Sequence, residues 1–212
     1  KWQLVMYSLL YKGKIAVTSF ALKMLVRRAL GRAGLRGLAE LVAIPVTAFW
    51  NAVVTWHVMR EARLRIVGPP AAQALIDELW GDHLTSPQRG GALRAVAGAI
   101  VRSNDLHPNL VALMDEVRRR AGDLEHHDAL DDTERFVSEF EAASADERDW
   151  ILAVSTLAAI LDGKVTRGEG RLLRRLRIAA GLSPNIGDVK RLARRLRRGK
   201  PIRASELRVC GH

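Results

Sequence analysis

Apolar residues recur at helical spacing through most of this chain, and few stretches argue for strand. Leu93, Val96, Ala97, Ile100 and Val101 lie on one stripe, and Ile151, Val154, Leu157, Ala158 and Leu161 form another. A second helix follows each stripe, carried by Leu110, Leu113, Met114 and Val117 in the first case and by Leu172, Leu173 and Leu176 in the second. Phe136, Val137 and Phe140 predict a third helix after the first pair. Val189, Leu192, Ala193 and Leu196 do the same after the second. Upstream, Ile15 to Leu30 reads as one helix, and Gly31, Gly34 and Gly37 then interrupt the pattern. Leu38 to Val58 is a run of 21 residues with one charge, Glu40. Gly68-Pro69-Pro70 punctuates the chain before a short helix expected over 71–80. The expected fold class is all-α, with short loops pairing antiparallel neighbours.

The two sets of helices share a register. Adding 59 to a position maps Thr85 and Gln88 onto Ser144 and Glu147, Leu93 onto Leu152, Leu113 onto Leu172, and Ala121-Gly122 onto Ala180-Gly181. Each set opens with a capping box, in which a hydroxyl accepts from an orphan amide while the longer side chain reaches back. The reading is a duplicated three-helix unit, with repeats at about 85–142 and 144–200 inside a domain spanning 69–212. A basic, apolar helical segment, 1–68, precedes it.

Charge sharpens this division. Residues 1–68 carry a net +9, residues 69–162 a net −10 and residues 163–212 a net +12, which together give the +11 of the chain. Basic ends beside an acidic middle either attract phosphate, in lipid or nucleic acid, or attract each other. A single cysteine, Cys210, leaves no internal disulfide and points to a reducing compartment. No cleavable signal peptide is visible.

The apolar run over 38–58 admits three readings: a helix buried in a core, a helix lying in a membrane interface, or a bilayer span. Lys23, Arg27 and Arg28 before it, with Trp50 and Trp56 toward its far end, favour contact with anionic headgroups. Ile44-Pro45-Val46, Ala48, Asn51, Ala52 and Arg60-Glu61-Ala62-Arg63 are similar to a pattern of EcsC-family proteins, which are bacterial and membrane-associated.

The sharpest motif is the loop Asp162-Gly163-Lys164-Val165-Thr166-Arg167-Gly168-Glu169. Gly163 can end one helix in a left-handed conformation, and Thr166 with Glu169 makes a further capping box that starts the next. A calcium EF-hand is excluded, because Lys164 and Leu173 stand where oxygen donors are required. With Ala158-Ala159 before it and Leu172, Leu173, Leu176 and Ala180-Gly181-Leu182 after it, this stretch resembles the TerB-like family of bacterial tellurite-resistance and stress proteins. The resemblance implies a helical bundle, a stress-response role and a divalent metal ion on Asp162 and Glu169. In the first repeat Ser103, Asn104 and Leu110 occupy the corresponding positions, so half of any two-site arrangement is lost.

Glu125, His126, His127, Asp128, Asp131, Asp132 and Glu134 crowd one connection; a His pair beside carboxylates can bind zinc, but nothing specifies a tetrahedral set, and a solvated acidic loop feeding a helix N-terminus explains the acids without a ligand. No P-loop, zinc finger or nucleophile elbow occurs, and no residue set supports an enzyme. The last helices are strongly basic: Arg174 and Arg175, then Lys190, Arg191, Arg194, Arg195 and Arg198. Together these residues predict a surface for an anionic membrane or a partner protein. Nucleic acid is the runner-up, lacking aromatic residues interleaved for base stacking. The expected function is therefore non-enzymatic: a bacterial cytoplasmic interaction protein, peripheral to the inner membrane.

Overall fold

A computed structural model of the chain describes residues 35–81, 84–103, 106–122, 130 and 132–209. Among them every regular element is a helix: α1 (Leu35–Leu79), α2 (Ser86–Ser103), α3 (Pro108–Ala121), α4 (Thr133–Ala142), α5 (Ala145–Ile160), α6 (Arg167–Ala179), α7 (Gly187–Arg197) and α8 (Ala204–Val209). The chain divides into two compact units, one ending at His57 and the other beginning at Val58. The helix expected over 15–30, with Lys23, Arg27 and Arg28, lies outside the described residues.

In the second unit α5 is the centre. It is buried on all sides from Trp150 to Ile160, with α2, α4, α6, α7 and α8 around it. Sequence periodicity marks only a stripe on this helix; five neighbours bury the remainder, which Ala153, Ala158 and Ala159 make small enough to accept close packing. Helix α5 comes close to α2 at Gly91, where a Cβ would stand 2.8 Å from Ile151 Cδ1 and force that side chain to shift. Val101, expected on the buried stripe of α2, is instead 55% exposed. At 3.6 residues per turn it points away from the face made by Ala92, Leu93, Val96 and Ala99.

The C-terminal part of α1 packs into the same core through Leu64, Ala72, Leu75, Ile76 and Leu79. It runs through Gly68-Pro69-Pro70, where sequence alone predicts a break. Two prolines remove two ladder donors. The turn is supported from outside: Asn109 Nδ2 donates to the Leu64 carbonyl at 3.1 Å. The carbonyls freed by the prolines belong to the exposed residues Arg65 and Ile66, within reach of water. At the far end the Trp150 indole N–H donates to the Leu79 carbonyl at 2.7 Å, and Trp80 meets the Trp150 ring edge-on at 5.6 Å. The short α8, not anticipated from sequence, is seated by Leu207 and by Glu78, which accepts the Ala204 N–H at 3.1 Å.

The offset of 59 recurs in the backbone of the first two helices of each set. Helices α2 and α5 begin at Ser86 and Ala145, and α3 and α6 at Pro108 and Arg167. The second helix of each pair is followed by a left-handed glycine, Gly122 at φ 71° and Gly181 at φ 76°. Buried positions 91–93, 95–99 and 103 all have buried counterparts 59 residues on. The third helices depart from this register: Thr133 opens α4, but the position 59 later is Leu192, inside α7. The chain between α3 and α4 is longer than that between α6 and α7, which moves the third helix along the sequence.

Candidate functional site

The loop between α5 and α6 is built by local hydrogen bonds. Gly163 at φ 75° donates its N–H to the Ile160 carbonyl at 2.8 Å and turns the chain out of α5. A Cβ on Gly163 would stand 3.0 Å from Leu64 and 3.1 Å from Arg197, so the loop backbone lies directly against α1 and α7. Asp162 Oδ1 accepts the Lys164 N–H at 3.0 Å, and its other oxygen faces the Lys164 ammonium at 3.8 Å. Thr166 caps α6: its hydroxyl oxygen accepts the Glu169 N–H at 3.2 Å, and Glu169 Oε2 accepts the Thr166 N–H at 2.7 Å. The single Thr166 hydroxyl proton is shared between Glu169 Oε2 at 2.8 Å and the Arg102 carbonyl at 3.2 Å.

This geometry leaves Glu169 in an unusual state for a capping residue. The side chain is 2% exposed, and Oε1 has no hydrogen-bond partner. Burial pushes the carboxyl up to about 7; the bonds from Thr166 pull it down, the charge of Asp162 adds to the rise and Lys164 opposes it. At Ser144 the same box is exposed, and Glu147, bonded to the Ser144 N–H at 3.0 Å and to the Thr85 hydroxyl at 2.9 Å, is held below the usual carboxylate range. The same sequence motif thus gives opposite shifts, decided by solvent.

Asp162 and Glu169 supply only part of the oxygen set that a divalent ion takes. They are two carboxylates, and among the described residues no group of three or more His, Cys, Asp or Glu gathers to hold a metal. Calcium takes six to eight oxygen ligands. His126, His127, Asp128, Glu125 and Asp131 lie outside the described residues. Asp132 caps α4 by accepting the Arg135 N–H at 3.0 Å, and Glu134 makes a two-pronged pair with Arg175 at 2.7 and 2.8 Å.

In the first set the corresponding end is closed by different residues. Ser103 is buried and donates to the Ile100 carbonyl at 2.9 Å. His107, 59 residues before Thr166, caps α3: Nδ1 accepts the Asn109 N–H at 3.2 Å and Nε2 faces Glu61 at 3.3 Å. Asn109, fully buried, donates to Leu161 as well as to Leu64. Neither residue is singled out by the sequence reading. The offset marks His107 as a cap; nothing in the sequence marks the partners of Asn109.

The basic residues separate into two kinds. Arg175, Arg191 and Arg195 pair within the protein, with Glu134, with Asp188 at 2.6 Å and with Glu206. Arg174, Lys190, Arg194 and Arg198 are exposed. The predicted continuous positive surface is thus interrupted, by Glu134 from the acidic middle of the chain and by Asp188 and Glu206 from the C-terminal segment itself. In the first unit Phe49, Val53 and Trp56, with Trp50 and Val54 beside them, share one face of α1, opposite Ala48, Asn51, Ala52 and Thr55. Phe49 is 69% exposed and Trp56 56%, and the Trp56 ring lies 5.0 Å from that of His57. Among the described residues no helix is long and apolar enough to cross a membrane.

No protein-family model, curated protein or solved structure matches the chain.

Proposed function

We propose that this is a non-enzymatic interaction protein that docks on an anionic membrane surface through the aromatic face of α1, with the helical bundle as its partner-binding module. The observation that carries this reading is the exposure of large apolar side chains on this stretch of α1, Phe49, Trp50, Val54 and Trp56 on one side, followed by Val58 and Met59 one turn further on. An apolar face rimmed by small and polar residues is the signature of a helix lying in an interface, and tryptophan rings favour the headgroup level. The charge pattern agrees. Seven lysines and arginines stand between Lys12 and Arg36, and Arg60, Arg63 and Arg65 follow. Each cation near an anionic surface adds about 1 kcal/mol of attraction.

The resemblance to TerB-like and EcsC-family proteins agrees with a bacterial, inner-membrane, stress-related setting. A metal ion on Asp162 and Glu169 would require further ligands beyond these two, and no step of this reading depends on one. Co-flotation of the whole chain with vesicles tests it. The protein is expected to rise with vesicles containing phosphatidylglycerol and to stay behind with phosphatidylcholine alone. The Phe49→Ser, Trp50→Ser, Trp56→Ser variant is expected to lose flotation while keeping its helical circular dichroism. A variant that floats as well as the parent would overturn the proposal.

A further inference from the structure

Four cationic side chains converge where the α5–α6 loop meets α7. Lys190, Arg194 and Arg197 follow one another at helical spacing along a single face of α7, and Lys164 projects from the loop opposite. They line a cleft of about 290 Å³ whose other walls are Gly163, Val165, Gly187 and Ala193, with no carboxylate among the lining residues. The neighbouring arginines of α7 differ: Arg191 is engaged by Asp188 and Arg195 by Glu206. No carboxylate among the described residues pairs with Lys190, Arg194 or Arg197. Two acids adjoin the lining residues: Asp162, buried beneath the loop with an oxygen 3.8 Å from the Lys164 ammonium, and Asp188, which is paired with Arg191.

Such convergence is unfavourable in isolation. Like charges on adjacent turns repel, and the Arg197 guanidinium is pushed below its ordinary range first by burial and then by Arg60, Arg198 and Arg194. A bound anion would offset the repulsion among these cations. The cleft is also shaped for something small: it is bounded by loop backbone held against α7 at Gly163, and it has no aromatic wall on which a base could stack.

We propose that the cleft of Lys164, Lys190, Arg194 and Arg197 binds a compact phosphate dianion, either free in solution or displayed as a phosphomonoester lipid headgroup. Arginine forks and lysine ammoniums supply charge-assisted hydrogen bonds to several phosphate oxygens at once. The site belongs to the bundle and does not rest on the aromatic face of α1.

Titration calorimetry of the whole chain with inorganic phosphate, at fixed ionic strength and at a mildly alkaline pH where it is a dianion, tests this. Saturable binding is expected, weakened at least about tenfold in the Lys190→Gln, Arg194→Gln variant and within about twofold of the parent in Arg171→Gln, Arg174→Gln, which removes the same charge from α6. A second arm uses vesicles with phosphatidate or phosphatidylserine at matched charge, with Phe49, Trp50 and Trp56 replaced by serine so that the aromatic face cannot contribute. Binding of inorganic phosphate without a phosphatidate preference assigns a soluble phosphate. A phosphatidate preference lost in the cleft variant assigns a headgroup. Absence of saturable binding in both arms, or equal weakening by the two variants, overturns the proposal.

Discussion

The side-chain amide of Asn109 donates to the Leu161 carbonyl at 2.9 Å, fastening the start of α3 to the end of α5. The same nitrogen reaches the Leu64 carbonyl at 3.1 Å, so one buried residue joins three helices and supports the α1 turn that two prolines weaken. Asn109→Ala strips a donor from both carbonyls. The expected loss is about 2–4 kcal/mol, read as a lower urea midpoint with an unchanged slope.

Glu169 makes stability depend on pH in a direction opposite to that of most carboxylates. Its folded value of about 7 stands above the ordinary 4.5. Below about pH 4.5 both states hold the proton and nothing is lost. Between there and about 7 the unfolded chain ionises while the folded one stays protonated, so stability falls as pH rises, by about 3 kcal/mol in all. Glu169→Gln keeps an acceptor for the Thr166 N–H and removes the titration. Denaturation curves across this range are expected to show the variant gaining on the parent until about pH 7 and running parallel above it.

Thr166→Ala tests the cap and the titration together. Loss of the hydroxyl frees the Glu169 N–H and is expected to cost about 1 kcal/mol. It also removes a bond that favours the charged carboxylate, so the Glu169 midpoint is expected to move further up. The carboxyl carbon resonance followed by NMR titration reads this directly.

Gly163→Ala places a Cβ at φ 75° and within 3.0–3.1 Å of Leu64 and Arg197. The left-handed backbone alone costs about 1–2 kcal/mol. The contacts add to that, so thermal denaturation is expected to show a larger drop than for alanine at Gly122, which has nothing within 4 Å.

What the sequence reveals here is what three or four neighbouring residues decide. The boxes at Thr85, Ser144 and Thr166 close as their spacing predicts, with Gln88 returning to the Thr85 N–H at 2.8 Å, because each needs only one helical turn. The left-handed Gly163 is legible for the same reason. Partners distant in sequence are not: the fate of Arg175, Arg191 and Arg195 depends on where Glu134, Asp188 and Glu206 come to rest, and only the Asp188 pair is local. Pro69 and Pro70 mislead because the carbonyls they free belong to exposed residues, Arg65 and Ile66, while the neighbouring Leu64 carbonyl is held by Asn109, distant in sequence. The shared register of α2–α3 and α5–α6 is readable as an offset. The third helices break it through connections of unequal length.

The central claim, that the aromatic face of α1 enters an anionic membrane interface, is tested most directly by quenching of tryptophan fluorescence with brominated phosphatidylglycerol vesicles. Trp50 and Trp56 are expected to be water-facing in free protein and strongly quenched on binding, with most of the quenching lost in Trp50→Phe, Trp56→Phe. Quenching that survives in that variant, or blue-shifted emission from these two rings before any vesicle is added, would contradict the account.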